Sequence, residues 1–330
     1  MHGNRLRLFF QRGGLFYAAL QVRFFCFLLF RRMDGIWAND LDTLLPAYLV
    51  SRIRRVPLVY DSHEFFTEAA GLTHRPFQRG VWLAVERWLH PKVRAVLTVN
   101  DSIAAGLQER YPHAKSGRPR VLRNMPVRAP RVMVEGREAF SEAGIPTDRP
   151  IALLQGAFMD TDRGIREAVE AARGQAHFRL VLIGAGPEWE WARQEQTGAD
   201  LAQSLFCLSK QPYDVLRRFT ASADVGLSLD KGVHGNYLLS LPNKLFDYIH
   251  AGIPVVASPL PEVEKVVKGW DVGVIVAGHD PLSIRTAIEA VLQQPRSHWE
   301  QACAQAAESL HWGADEPQIA TALHEAGFRD

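Results

Sequence analysis

From Asp34 onward the chain alternates short apolar runs of β-type residues with longer segments of helical period, a rhythm that few folds accommodate. Parallel strands need crossovers of a dozen or more residues, which helices supply, so the alternation predicts an α/β protein built on parallel sheets covered by helices. The first series reads as strand 35–38, helix 43–54, strand 58–60, helix 78–88 and strand 96–99. Asp101 or Ser102 is placed to cap a further helix, and Val121 and Leu122 close this half. Between 123 and 149 prolines and charges replace the periodicity, and PVRAPR reads as a linker before a short helix. A second series then runs as strand 151–154, helix 164–172, strand 180–183, helix 189–196, strand 205–208, helix 213–221, strand 225–229, helix 243–251 and strand 255–257. The 330 residues suit two domains, 1–148 and 149–330, with the last helix able to pack back on the first.

The opening is atypical. A Rossmann-like domain begins with a strand and a glycine-rich turn, whereas residues 1–33 offer a basic stretch and one helix, so the first strand-helix units of this domain are expected to be missing. Arg5, Arg7, Arg12, Arg23, Arg31 and Arg32 all precede the first acidic residue and surround the apolar run 15–30. That run is shorter than the roughly 20 apolar residues a membrane span needs and carries Arg23 in its middle, and no small-residue cleavage site follows it. A cytoplasmic protein is expected, its helix packed under the sheet, resting peripherally on an anionic membrane surface through the arginines, or both. The formal net charge of +2 makes no case for nucleic acid. Cys26, Cys207 and Cys303 lie far apart and are expected as buried thiols, with neither disulfide nor metal site implied.

Four stretches could carry chemistry. LLQGAFMDTDRGIREAVEA reads as strand, turn at Gly156, then helix, with Arg163 and Gly164 at the helix start. Free amides, the helix dipole and a bidentate donor there suit a phosphate, the plain alternative being an ordinary turn with a surface arginine. Gly184 and Gly186 form a second turn after a strand, weak evidence alone but able to open at the same sheet edge. In SLPNKLFDYIHAGIPVVAS, Ser240 can cap the helix, Asn243 and Lys244 sit where an anion meets free amides, and Asp247 can accept from the vicinal hydroxyls of a ribose. Lys244 and Asp247 could equally form a solvated i, i+3 pair. In the first half, Asn39 and Asp40 follow one strand and Asp61, His63 and Glu64 follow the next, converging where an acceptor hydroxyl could be held and its proton managed. The carboxylates, with Asp42, could instead merely cap helices.

With ANDLDTLLP, VYDSHEFF, TVNDSI, LLQGA, DRGI and LPNKLFDYIHAGIPVVAS on the page, the chain resembles retaining glycosyltransferases of family 4 over about residues 15–325. The resemblance implies the GT-B architecture of two facing Rossmann-like domains and a nucleotide-sugar donor, UDP- or GDP-linked, used as substrate with no cofactor. It implies a glycan or lipid-linked acceptor in cell-surface polysaccharide synthesis. It assigns the donor diphosphate to Arg163 and the ribose to Asp247, the second acid of the family's paired motif. Three departures follow: Ala157 stands after Gly156 where an arginine is frequent, leaving that contact to Lys244 or Lys231; the first acid of the pair falls at Leu239; and the family's histidine falls on Asn39, which moves proton handling to Asp40 or His63. The reaction implied runs on one face of the sugar without a protein nucleophile. Two other readings stand beside it: a GT-B nucleotide-sugar 2-epimerase, which needs a richer set of carboxylates and histidines, and a non-catalytic nucleotide-sugar-binding or scaffold protein, suggested by the short N-terminal half.

Overall fold

The computed structural model describes residues 13–233 and 235–328. They form two compact units: the first runs to Arg123 and takes back Asn236 and the segment from Asp315, and the second holds Asn124–Val233 and Tyr237–Ala314.

The first unit is built on four parallel strands in the order β1-β2-β3-β4: β1 Ile36–Asn39, β2 Leu58–Ser62, β3 Ala95–Thr98 and β4 Arg120–Val121. Every residue of β2 and β3 is buried, as expected where helices cover both faces of a parallel sheet. Leu41, Leu44 and Val50 of helix Leu41–Arg54 pack with Tyr60, Leu89 and Val96 in the core. Helix Gly13–Leu29 lies against Leu41–Arg54, with Phe25, Leu28 and Leu29 turned to that core and Leu15, Val22 and Phe27 exposed. Among the described residues no helix is long and apolar enough to cross a membrane. Cys26, expected buried, is exposed on this helix, because its neighbours Phe25 and Leu28 take the inward face. Cys207 is half-buried and Cys303 buried. The helix over 101–110 is capped by Asn100, whose side chain accepts from Ile103 N at 2.9 Å. Asp101, one of the two expected caps, lies inside the first turn and pairs with Arg118 at 2.8 Å, while Ser102 is one residue further in. Helix Pro317–Ala326 belongs to this unit, held by Arg120 and Glu325 at 2.9 Å, and the ring of Phe328 occupies the space a Cβ at Gly35 would need.

The second unit has six parallel strands: β5 Ile151–Gly156, β6 Arg179–Gly184, β7 Leu205–Ser209, β8 Val225–Ser228, β9 Val255–Ala257 and β10 Gly273–Ile275, in the order β10-β9-β8-β5-β6-β7. Side chains alternate across β5, Ile151 and Leu153 entering one core and Ala152 and Leu154 the other. The chain builds outward from β5 to β7, then crosses back to β8, so the strand order switches between β5 and β8. In open α/β sheets the carboxyl ends of the strands at such a switch point are the usual ligand crevice. The segment after Arg123 is strapped to this unit: Arg131 donates to Ala251 O and to Glu300, each at 2.9 Å.

Candidate functional site

The loops at the switch point bring two cations onto one anion. Asp230, immediately beyond β8 and 1% exposed, lies 2.6 Å from Arg163 Nη1 and 2.9 Å from Lys244 Nζ. Two features place Arg163 there. Gly164 starts helix Ile165–Ala172 at φ 71°, and a Cβ on it would fall 2.4 Å from Leu229 O, so only glycine lets the helix start press against the loop after β8. Lys231 N also donates to Asp162 O at 2.8 Å. Lys244 arrives from the first turn of helix Asn243–Ala251, which begins without a side-chain cap. Burial opposes ionisation of Asp230, but Lys244 and then Arg163 outweigh it and hold its carboxyl below the usual range. Among the described residues Arg163 makes one side-chain hydrogen bond, to Asp230, of the five its guanidinium can donate, and it lies over the Tyr237 ring at 5.0 Å. The group carries a net positive charge beside two uncapped helix starts, an arrangement that attracts a phosphate. Of the two lysines offered for the missing contact, Lys231 is engaged by Glu167 at 2.6 Å, and Lys244 is the one that converges with Arg163.

Ser240 does not cap this helix. The cap position is Pro242, and Ser240 Oγ donates to Tyr237 O at 2.9 Å, closing the preceding turn. Asn243 is the first helical residue. The glycine turns have a packing reason of their own. A Cβ at Gly184 would lie 2.2 Å from Gly156 O, and one at Gly186, where φ is 128°, 2.6 Å from Met159 O. Met159 N donates to Ala185 O at 2.7 Å, so the β5 loop lies on the β6 loop. A Cβ at Gly156 meets Met159 only at ordinary contact distance.

One turn after Lys244, Asp247 accepts from Gln155 Nε2 at 3.2 Å and from Tyr213 Oη at 3.3 Å. Burial pushes its carboxyl up, with the Tyr213 and Gln155 hydrogen bonds opposing. The cavity these residues line, with Thr220 and His250, holds about 30 Å³, room for a water rather than a ribose as the side chains stand.

At the carboxyl edge of the first unit, His63 sits between two carboxylates. Its Nε2 is 3.1 Å from Asp61 Oδ2, which also accepts from Trp37 Nε1 at 3.1 Å, and its Nδ1 is 3.8 Å from Asp40 Oδ2. The Asp61 hydrogen bond raises the His63 pKa above its ordinary value, burial working against it. Asp40 stands at the N-cap position of Leu41–Arg54 yet makes no cap hydrogen bond, its carboxylate accepting from His63 N at 2.9 Å instead. Its backbone, at φ 59° and ψ 167°, occupies a region favourable only to glycine, and a donation from Asp40 N to Asp61 O at 2.8 Å holds it there. Burial pushes the carboxyls of Asp40 and Glu64 up. Glu64 accepts from Asn236 Nδ2 at 2.9 Å, and Asn39 ends β1 with an exposed side chain whose backbone carbonyl accepts from Thr43 Oγ1 at 2.5 Å. Asp40, Asp61 and His63 thus form an acid–base cluster, which Asn39 borders. Among the described residues no group of three or more His, Cys, Asp or Glu could hold a metal ion.

Sequence reasoning missed Asp230, Gln155, Tyr213 and Asn236. Only Asp230 left a signal, a carboxylate directly after an apolar strand.

Residues 149–294 match the family model described as Glycosyl transferases group 1. A search of curated proteins returned no match. Solved structures share the fold across both units. Sucrose-phosphate synthase from Thermosynechococcus elongatus is 17% identical, with a TM-score of 0.73 over 94% of this chain and 78% of that one. Anabaena HepE in complex with UDP is 16% identical, with a TM-score of 0.69 over 94% and 82%. An α,α-trehalose-phosphate synthase (UDP-forming) from Burkholderia vietnamiensis is 14% identical, with a TM-score of 0.67 over 96% and 78%. The fold is thus α/β with two parallel-sheet units, that of GT-B glycosyltransferases.

Proposed function

We propose that this chain is a family 4 glycosyltransferase that moves a sugar from a nucleotide-sugar, UDP- or GDP-linked, to a glycan or lipid-linked acceptor with retention of anomeric configuration. The observation that carries the proposal is the convergence of Arg163 and Lys244 on buried Asp230 at the switch point, with Asp247 one helical turn away. HepE, of similar fold, has been solved with UDP and with UDP-glucose, which supports a nucleotide-sugar for this site.

In the proposed reaction the acceptor oxygen bonds to the anomeric carbon as the bond from that carbon to the diphosphate oxygen breaks. The acceptor proton passes to the departing phosphate on the same face. Arg163 and Lys244 stabilise the charge that develops on the leaving group, Asp247 holds the ribose after Tyr213 turns aside, and Asp40 and His63, steadied by Asp61, orient the acceptor hydroxyl. The basic opening and the exposed Leu15, Val22 and Phe27 suit work at the cytoplasmic face of an anionic membrane, in cell-surface polysaccharide synthesis.

Calorimetric binding and hydrolysis with a panel of UDP-, GDP-, ADP- and dTDP-sugars test this. Selective binding with slow hydrolysis is the expected result. Binding without turnover, even with acceptor extracts, would favour a scaffold; interconversion of the sugar would favour an epimerase; absence of binding to every donor would remove the proposal.

A further inference from the structure

The opposite edge of the first sheet, where the chain enters its strands, holds a basin of about 720 Å³, within the size range of small-molecule sites. The segments that lead into three strands line it, with the end of helix Pro317–Ala326, and they contribute Arg52 and Arg55 before β2, Lys92 and Arg94 before β3, and Lys115 before β4. Among the described residues no carboxylate lines it. The chain as a whole carries 36 acidic for 38 basic residues, so five cations around one hollow without an acid is a local excess.

Pairing in the same unit sharpens the contrast. Arg79, Arg110, Arg118, Arg120 and Arg123 each lie within ion-pair distance of a carboxylate. Among the described residues none of the five basin cations does; Lys92 instead lies over the Trp88 ring at 4.7 Å. Like charges gathered this way repel one another and cost stability unless a counter-charge enters. The scaffold nonetheless fixes them. Lys115 N donates to Pro91 O at 3.1 Å, which ties its loop to that of Lys92, and Ser51 Oγ donates to Val56 O at 2.7 Å across the turn carrying Arg55. Arg55 itself ends helix Leu41–Arg54 at φ 57° and ψ 38°, a position where glycine is the ordinary choice. A cation is thus kept at the basin rim against the backbone preference.

We propose that this basin is a second anion site, separate from the switch-point crevice, that takes a phosphate-bearing ligand, free in solution or as an anionic lipid headgroup. Arg52, Arg55 and Arg94 supply planar donors matched to phosphate oxygens, and Lys92 and Lys115 supply point charge. Tyr48, which lines the basin, is in ring contact with half-exposed Trp88, and both are amphipathic side chains of the kind found where lipid headgroups are met. The site lies on the strand-entry edge, whereas Asp40, Asp61 and His63 lie on the exit edge, so its ligand does not compete for the acid–base cluster.

The test uses the full chain carrying Arg163→Ala, so that pyrophosphate bound at the switch point is suppressed. Inorganic pyrophosphate is titrated calorimetrically into this protein and into the same protein with Arg55→Glu and Lys92→Glu added. Sedimentation with phosphatidylglycerol vesicles, and with phosphatidylcholine vesicles as the neutral reference, runs in parallel. At least a tenfold loss of pyrophosphate affinity on charge reversal is expected. An accompanying loss of phosphatidylglycerol binding assigns the lipid as source, and unchanged vesicle binding assigns a free phosphate compound; loss of vesicle binding alone also supports the site, with the headgroup as its ligand. Unchanged pyrophosphate and vesicle binding together overturn the proposal. Arg55→Gly, which suits the backbone, guards against a folding artefact: it should keep the thermal midpoint and still weaken binding about threefold or more, and undiminished binding by this folded variant would equally overturn it.

Discussion

Replacing Asp230 by Asn should destabilise the second unit more than removing either cation that Asp230 holds. At an effective dielectric of about 20, unit charges about 4 Å apart attract by about 4 kcal/mol, so the two cations together offset a carboxylate desolvation cost of several kcal/mol. Without the carboxylate, two cations are left facing each other. Breaking a buried pair in this way typically costs about 3–5 kcal/mol, and the lower end applies because Arg163 is 32% exposed and can turn toward water, whereas Lys244, at 11%, is confined. Arg163→Ala or Lys244→Met leaves Asp230 with one partner, so each should cost only about 1–2 kcal/mol, Lys244 the more. Donor binding should rank the variants in the opposite order. Each cation replacement should weaken UDP by about 1.5–3 kcal/mol, roughly 10- to 150-fold, through loss of charge-assisted bonds. Hydrogen-exchange mass spectrometry of peptides from β5 and β6 reads the second unit alone, which matters because a two-unit chain need not unfold in one step. Calorimetry gives the affinities. A loss below about 1 kcal/mol for Asp230→Asn, or UDP affinity untouched by both cation replacements, would refute the reasoning.

Two further predictions concern the first unit. His63 should titrate above its ordinary 6.5, and Asp61→Asn should lower that midpoint, both read by NMR of the ring. A raised histidine pKa contributes stability that is fully present below the unfolded value and lost as pH rises through the folded one, so Asp61→Asn should cost more at about pH 5.5 than at about pH 8.5; a pH-independent cost counts against the pair. At position 40, Asp40→Gly and Asp40→Ala lose the same carboxylate and differ mainly in backbone freedom, so Gly should be more stable than Ala by about 1–3 kcal/mol in thermal or urea denaturation. Equal stabilities would mean that the backbone there is not strained.

How much could be read in advance depended on whether a feature was local. Helix Asn243–Ala251 was legible at both ends because Pro242 precedes it and Gly252 ends it in the left-handed conformation at φ 75°. Strands β5 and β6 were legible as apolar runs but extend through Gln155-Gly156 and Gly184, whose polar or minimal side chains broke the pattern just where the sheet reaches its crevice. Strand β10 left no trace, being three half-buried residues with no periodicity to detect. The cap at Asn100 was missed and Ser240 was misread as one because a side-chain oxygen near a helix start is ambiguous by a residue or two until the backbone is seen.

The candidate site divides along the same line. Arg163 and Lys244 were legible because each belongs to a strand-to-helix turn of its own, whereas their meeting point was not: Asp230 lies 67 residues from Arg163 and meets it only because β8 is the neighbour of β5 in the sheet. Gly184 and Gly186 were read as a ligand turn, yet a glycine demanded by close backbone approach looks the same in sequence whether the approaching backbone or a ligand is the reason, and here Gly156 and Met159 alone already demand glycine. The phosphate reading therefore rests on the ion triad and not on the second glycine turn. In the proposed function, a carboxylate that holds two cations in place would do part of the work of binding in advance, since an arriving diphosphate would meet donors already oriented, with less reorganisation left to oppose it.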